Sequence, residues 1–197
     1  MDESITIAGQ TKITSGNGAM TLTMVGHVQL TGGLNVAAGG GLNKIVSTQL
    51  ASLRTGAFTY TGGSGNDEIT LAGTDISMGT ANITLGDGAN FFKSTTGGMV
   101  SILGDAIFTG GKGNDAIELT SAFLRINGQL KVTTGVGTNH LYVQPLGGGG
   151  AGSITYTGGT GDDAFRISGP SVENEFVVLG NVTASMAAGA SSLGIRA

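Results

Sequence analysis

The 197-residue chain sets nine Lys plus Arg against thirteen Asp plus Glu, a formal charge of −4, and contains no cysteine. Disulfides, thiolate metal centres and a cysteine nucleophile are therefore excluded, and the absence of a basic stripe removes the electrostatic footprint of a nucleic-acid binder. Glycine supplies 38 residues and proline two, which excludes a collagen triple helix, and a 39% hydrophobic, 11% charged composition argues against disorder.

Taken in chain order, short alternating runs and glycine turns succeed one another on a steady beat. Thr14-Ser-Gly-Asn-Gly-Ala19 is a degenerate first turn, and Val28-Gln-Leu30 alternates after it. A second turn, Ala38-Gly-Gly-Gly-Leu-Asn43, leads into Lys44-Ile45. Phe58-Thr-Tyr-Thr61 enters a full turn, Tyr60-Thr-Gly-Gly-Ser-Gly-Asn-Asp67, which continues as Glu68-Ile-Thr-Leu71 and then Ile76-Ser-Met78. Leu85-Gly-Asp-Gly-Ala-Asn90 precedes Phe91-Phe92. Phe108-Thr-Gly-Gly-Lys-Gly-Asn-Asp115 repeats the full turn before Ala116-Ile-Glu-Leu119 and Leu124-Arg-Ile126. Leu130-Lys-Val-Thr133 and Thr134-Gly-Val-Gly-Thr-Asn139 precede Leu141-Tyr-Val143. Tyr156-Thr-Gly-Gly-Thr-Gly-Asp-Asp163, before Ala164-Phe-Arg-Ile167, is the third full turn.

Asp67, Asp115 and Asp163 are 48 residues apart, and Asn43, Asn90 and Asn139 fall midway between them or before them. The unit is therefore about 24 residues, a period that marks a solenoid. Period-2 alternation marks each run as a half-buried strand. Three strands and three turns per unit predict an all-β fold: a single-stranded parallel, right-handed β-helix of about eight coils. A β-sandwich with glycine hairpins is the alternative, but it requires no constant step. Residues 1–197 form a single domain on this reading, with 1–20 and 181–197 as atypical capping coils. The column Ile45, Ile69, Phe92, Ile117, Leu141, Phe165 is apolar and predicted to face inward. Lys44, Glu68, Phe91, Ala116, His140, Ala164 is predicted to face outward, and Tyr60, Phe108 and Tyr156 to stack as a core or face column rather than to bind sugar.

The turn column alternates strictly: Asn43, Asp67, Asn90, Asp115, Asn139, Asp163. Gly-Gly-x-Gly-Asn-Asp followed by an alternating run resembles the nonapeptide of RTX (haemolysin-type) calcium-binding β-roll proteins. The resemblance implies calcium between stacked turns, held by turn carbonyls and by Asp67, Asp115 and Asp163, with Asp87 or Asp162 as a second local carboxylate. The pattern departs from that family because the aspartates fall on every second coil, about 9.6 Å apart, so two of them cannot share one ion with bonds of about 2.4 Å. The reading taken from the residues themselves is a ladder in which Asn amides bridge Asp carboxylates.

A carbohydrate-active site would draw on Asp115, Glu118 and Arg166, or on Glu68 with Glu118. His27 and His140 have no partner at metal spacing and read as surface or turn residues. Thr61, Thr109, Thr133 and Thr157 fall near one column, interrupted at Ala38 and Leu85, and look like the threonine arrays of ice-binding solenoids. No run of 18 apolar residues spans a membrane as a helix. Met1-Asp2-Glu3-Ser4 is acidic and carries no apolar signal region.

The expectation is a non-enzymatic structural or adhesive module of a bacterial surface or secreted repeat protein, extracellular, with no certain cofactor. Its partners would be polysaccharide or other cell-surface molecules, and other copies through the coil ends. The alternatives are a calcium-binding β-roll and a carbohydrate-active β-helix.

Overall fold

A computed structural model describes residues 4–47, 52–95, 97–169 and 175–196. All regular structure among them is β-strand, and every strand pairing is parallel. The chain winds through eight coils, each visiting three faces. Coil 1 comprises β1 (Ser4–Ile7), β2 (Thr11–Thr14) and β3 (Met20–Met24). Coil 2 comprises β4 (His27–Leu30), β5 (Leu34–Ala37) and β6 (Asn43–Ser47). In coils 3 and 4 the first two faces merge into one bent strand, β7 (Ser52–Thr61) and β9 (Asp75–Gly86), followed by β8 (Glu68–Leu71) and β10 (Phe91–Ser94). Coil 5 separates them again as β11 (Met99–Ile102), β12 (Ala106–Gly110) and β13 (Ala116–Leu119). Coils 6 and 7 are β14 (Phe123–Thr133) with β15 (Asn139–Val143), and β16 (Gly149–Thr157) with β17 (Asp163–Ser168). Coil 8 is β18 (Phe176–Val178), β19 (Val182–Ser185) and β20 (Ser192–Arg196).

The parallel solenoid and its period are those read from the repeat, and parallel pairing leaves no place for a hairpin sandwich. Ile45 pairs with Ile69, Ile69 with Phe92, Phe92 with Ile117, Ile117 with Leu141 and Leu141 with Phe165. All six are fully buried, as expected. Tyr60, Phe108 and Tyr156 are buried with them on the second face. Phe92 meets Phe108 edge-on at 4.7 Å between centroids, and Tyr156 stacks on Phe165 at 5.3 Å. Each such side chain contributes roughly 1.5–3 kcal/mol of transfer free energy.

The corner between the first and second faces was not foreseen. It is a column of glycines, among them Gly56, Gly79, Gly104, Gly128 and Gly152, where successive coils touch backbone to backbone. A Cβ on Gly128 would lie 2.8 Å from the Gly104 carbonyl carbon, and one on Gly152 would lie 2.6 Å from the Gly128 oxygen. Only glycine permits so close an approach.

The register corrects the threonine reading. Thr61 pairs with Ala37 and Thr84, and Thr84, Thr109, Thr133 and Thr157 follow in adjacent coils. Ala38 and Leu85 lie one residue further along and do not interrupt this column. The neighbouring outward column is mixed, with Asn82, Ile107 and Lys131 beside it.

Candidate functional site

The six turn residues Asn43, Asp67, Asn90, Asp115, Asn139 and Asp163 all point into the solenoid, each at most 2% exposed. They form one continuous ladder. Asn43 Nδ2 donates to Asp67 Oδ1 at 2.8 Å, Asn90 Nδ2 to Asp115 Oδ1 at 2.8 Å, and Asn139 Nδ2 to Asp163 Oδ1 at 2.9 Å. The intervening steps use backbone donors. The Asp67 N–H donates to Asn90 Oδ1 and the Asp115 N–H to Asn139 Oδ1, both at 2.9 Å. At the last rung the Asp163 N–H donates to Ser191 Oγ at 3.3 Å. Alternation lets a donor amide meet a carboxylate where two carboxylates about 4.8 Å apart would repel.

The neighbouring glycines follow from this arrangement. Each aspartate turns its second oxygen toward the first glycine of its own turn. A Cβ at Gly62, Gly110 or Gly158 would stand 2.3, 2.0 or 2.2 Å from Oδ2 of Asp67, Asp115 or Asp163. In the asparagine coils the equivalent positions hold Ala38, Leu85 and Thr134, which carry side chains. Glycine there accompanies the carboxylate, and a side chain accompanies the amide.

Burial dominates the titration of Asp115, Tyr156 and Tyr60. It pushes the Asp115 carboxyl up to about 6, against hydrogen bonds from the Asn90 side chain and from the Asn90 and Gly111 backbone, and the charge of Asp87 adds to the rise. Burial pushes the Tyr156 hydroxyl up to about 12, with the Asp163 charge in the same direction and the Thr134 contact at 3.4 Å opposing it. Tyr60 is held well above its ordinary range by burial first and then by the adjacent Asp67 carboxylate.

Asp67, Asp115 and Asp163 are the residues that the β-roll resemblance assigns to calcium. In each asparagine coil the amide nitrogen already stands among three oxygens. Asn90 Nδ2 bonds Gly86 O and Gly88 O at 3.2 Å as well as Asp115 Oδ1, and Asn43 and Asn139 repeat the arrangement. Two turn carbonyls and one carboxylate oxygen are thus held by an N–H donor, while the second oxygen of Asp67, Asp115 and Asp163 is buried without a hydrogen-bond partner among the described residues. One carboxylate per turn also falls short of the oxygen-rich shell that calcium takes.

Asp87 and Asp162 belong to a second, outer ladder, which the doublets Asn66-Asp67, Asn114-Asp115 and Asp162-Asp163 could have signalled. The Ala89 N–H donates to Asn66 Oδ1 at 2.8 Å, Lys112 N–H to Asp87 Oδ1 at 2.9 Å, and Thr138 N–H to Asn114 Oδ1 at 2.9 Å. The Ala190 N–H donates to Asp162 Oδ1 at 2.6 Å. One residue of each doublet therefore clamps the next coil's turn while the other enters the core.

The outward side of the third face carries the other cluster. Lys93, Glu118, Tyr142 and Arg166 form one column across four coils. Glu118 lies 3.4 Å from Lys93 Nζ and 3.6 Å from His140 Nε2. His140 stacks on Tyr142 at 4.6 Å, and the Arg166 guanidinium lies 5.5 Å from the same ring. Lys44 pairs with Glu68 at 3.0 Å.

Two expected constellations are not assembled. Asp115 faces inward, away from Glu118 and Arg166, because it precedes by one residue the strand on which Glu118 faces out. Glu68 and Glu118 occupy different columns, and each binds a lysine of an adjacent coil. His27 lies on the first face, its Nδ1 2.6 Å from Ser52 Oγ. On that face a groove of about 460 Å³ runs over the side-chain-poor stretch 149–152, between Phe123 and Leu179. Among the described residues, no helix is long and apolar enough to cross a membrane.

No family model, curated protein or solved structure matches this chain.

Proposed function

We propose that the chain is a non-enzymatic structural or adhesive module of a bacterial surface or secreted repeat protein. One observation carries this reading: the repeated polar residues of the motif are spent on the fold itself. The carboxylates of the full turns accept from the preceding coil's Asn amide, and their neighbours in the doublets accept from the next coil's backbone. The repeat thus builds a rigid rod of even pitch, and outward positions remain for contact. The strip of Lys93, Glu118, His140, Tyr142 and Arg166 combines aromatic faces with both charge signs, a composition suited to saccharide or polar polymer surfaces.

The test is binding of the labelled chain to a panel of neutral and acidic polysaccharides and to bacterial cell-wall material. Retention that falls at least tenfold in a Tyr142→Ala, Arg166→Ala variant with an unchanged melt supports the reading. Equal retention of both proteins refutes the strip as the adhesive surface.

A second reading, a carbohydrate-active β-helix, draws on Glu118 with His140 and Arg166. Release of reducing ends or of unsaturated products, lost in Glu118→Gln, supports it over the first.

A further inference from the structure

We infer that the first-face groove over coil 7 binds a medium-chain fatty acid, with its carboxylate on Arg125 and its chain laid along residues 149–152. The groove lies on a different face from the strip of the adhesive reading, and the two are tested separately.

The first face changes character along the rod. One of its outward columns is polar through Ser4, His27, Ser52 and Asp75, and then continues as Met99 and Phe123. Both are large apolar side chains left about half exposed, at 42% and 51%. Exposed apolar side chains gathered in one place mark a binding surface. In the next outward column Arg125 pairs with Gly150, and Gly150 with Val177. The walls of coils 6 and 8 therefore face each other across a coil that carries no side chain there. The fold keeps this floor bare, because a Cβ on Gly150 would lie 2.4 Å from the Val177 oxygen. The result is the groove of about 460 Å³, walled by Phe123 in coil 6 and by Val177 and Leu179 in coil 8. Small-molecule sites occupy roughly 300–1,000 Å³.

The walls select the occupant. Coils 6 and 8 stand about 9.6 Å apart and the floor runs for about 13 Å, a slot for one extended chain. The backbone of the floor is already paired with both neighbouring coils. An extended peptide or a saccharide in the slot would bury polar groups of its own without partners, a cost that an acyl chain does not carry. Among the described residues, Arg125 is the one charged group lining the groove, and Asn127 the other polar side chain. Arg125 Nε donates to Asn127 Oδ1 at 2.7 Å, which orients the guanidinium. No carboxylate pairs with Arg125 among the described residues. Its terminal nitrogens match a carboxylate head, which arginine binds through two parallel bonds.

The experiment is isothermal titration of the 197-residue chain with decanoate below its micellar range. Decyltrimethylammonium supplies the same chain with the opposite charge, and acetate supplies the head without the chain. Decanoate is expected to bind one per molecule, and both controls more weakly by about tenfold or more. Three variants alter exposed wall positions, and unchanged circular dichroism and thermal melts establish that each is folded. Arg125→Gln removes the charge, Val177→Glu sets a carboxylate across Gly150 from Arg125, and Phe123→Ser lowers the wall. Each is expected to weaken decanoate binding by about tenfold or more. Absence of decanoate binding overturns the proposal, as does equal binding of decyltrimethylammonium, or full affinity in Arg125→Gln and Val177→Glu. A leucine-rich pentapeptide with a free C-terminus that binds more tightly than decanoate also overturns it, and assigns the groove to a peptide partner.

Discussion

Stability should fall as pH rises through the acid range, in a way that traces to one carboxyl group. Asp115 ionises near 3.8 in an unfolded chain and is held near 6 in the folded one, mainly by burial. Between those values the folded state holds more protons than the unfolded state. The stability that the neutral carboxyl contributes is thus complete below about pH 4, is lost as pH rises to about 6, and stays lost above it. A displacement of about two units corresponds to about 3 kcal/mol. Asp115→Asn removes the ionisation yet retains an oxygen to accept from Asn90 Nδ2. The assay is urea unfolding of both proteins, followed by circular dichroism, from about pH 4 to about pH 8. The stability of the wild type relative to the variant should decline by about 3 kcal/mol across the lower part of that range and level off. A difference that is flat, or that rises with pH, would refute the claim that burial outweighs the hydrogen bonds to this carboxylate.

Asn139→Leu should cost about 3–5 kcal/mol in urea unfolding, because it strands Asp163 Oδ1, two glycine carbonyls and the Asp115 N–H together. Gly110→Ala should cost more than about 2 kcal/mol, since the methyl group would meet Asp115 Oδ2, while Gly18→Ala, with open space around it, should stay within about 0.5 kcal/mol. Calcium and EDTA should leave the thermal melt where it is, because an amide nitrogen already bonds two turn carbonyls and one carboxylate oxygen at each asparagine turn; a calcium-dependent rise of several degrees would show that the remaining carboxylate oxygens recruit the ion. Phe92→Ala should cost about 3–5 kcal/mol by opening a cavity against Phe108, and a loss under about 1 kcal/mol would mean that the column packs loosely.

The legibility of this protein differed from one feature to the next. The interior column through Ile45 and Phe165 was readable because side-chain direction in a strand depends only on parity, which an alternating run displays. The ladder partners were readable as a possibility because Asn and Asp alternate at constant spacing. Their inward direction continues the strand parity, two residues before Ile45, Leu141 and Phe165, but at the edge of a turn no alternation on the other side displays it. For that reason Asp115 could be grouped on paper with Glu118 and Arg166 although it faces the other way. The glycine corner through Gly56 and Gly128 was hidden for a related reason: a residue without a side chain leaves no pattern, and its purpose shows only when the next coil lies against it.

The sequence by itself determined the period, the parity of each strand and the alternation of amide and carboxylate, because each is a property of one chain read at a fixed step. Tertiary structure decided which column lies beside which, and so placed Thr84 rather than Leu85 beside Thr109 and built the Lys93–Arg166 strip. Those outcomes depend on coil steps that vary between 23 and 25 residues in the body of the rod. A one-residue difference in a turn is invisible in the average repeat, yet in a parallel sheet it moves a side chain to the opposite face.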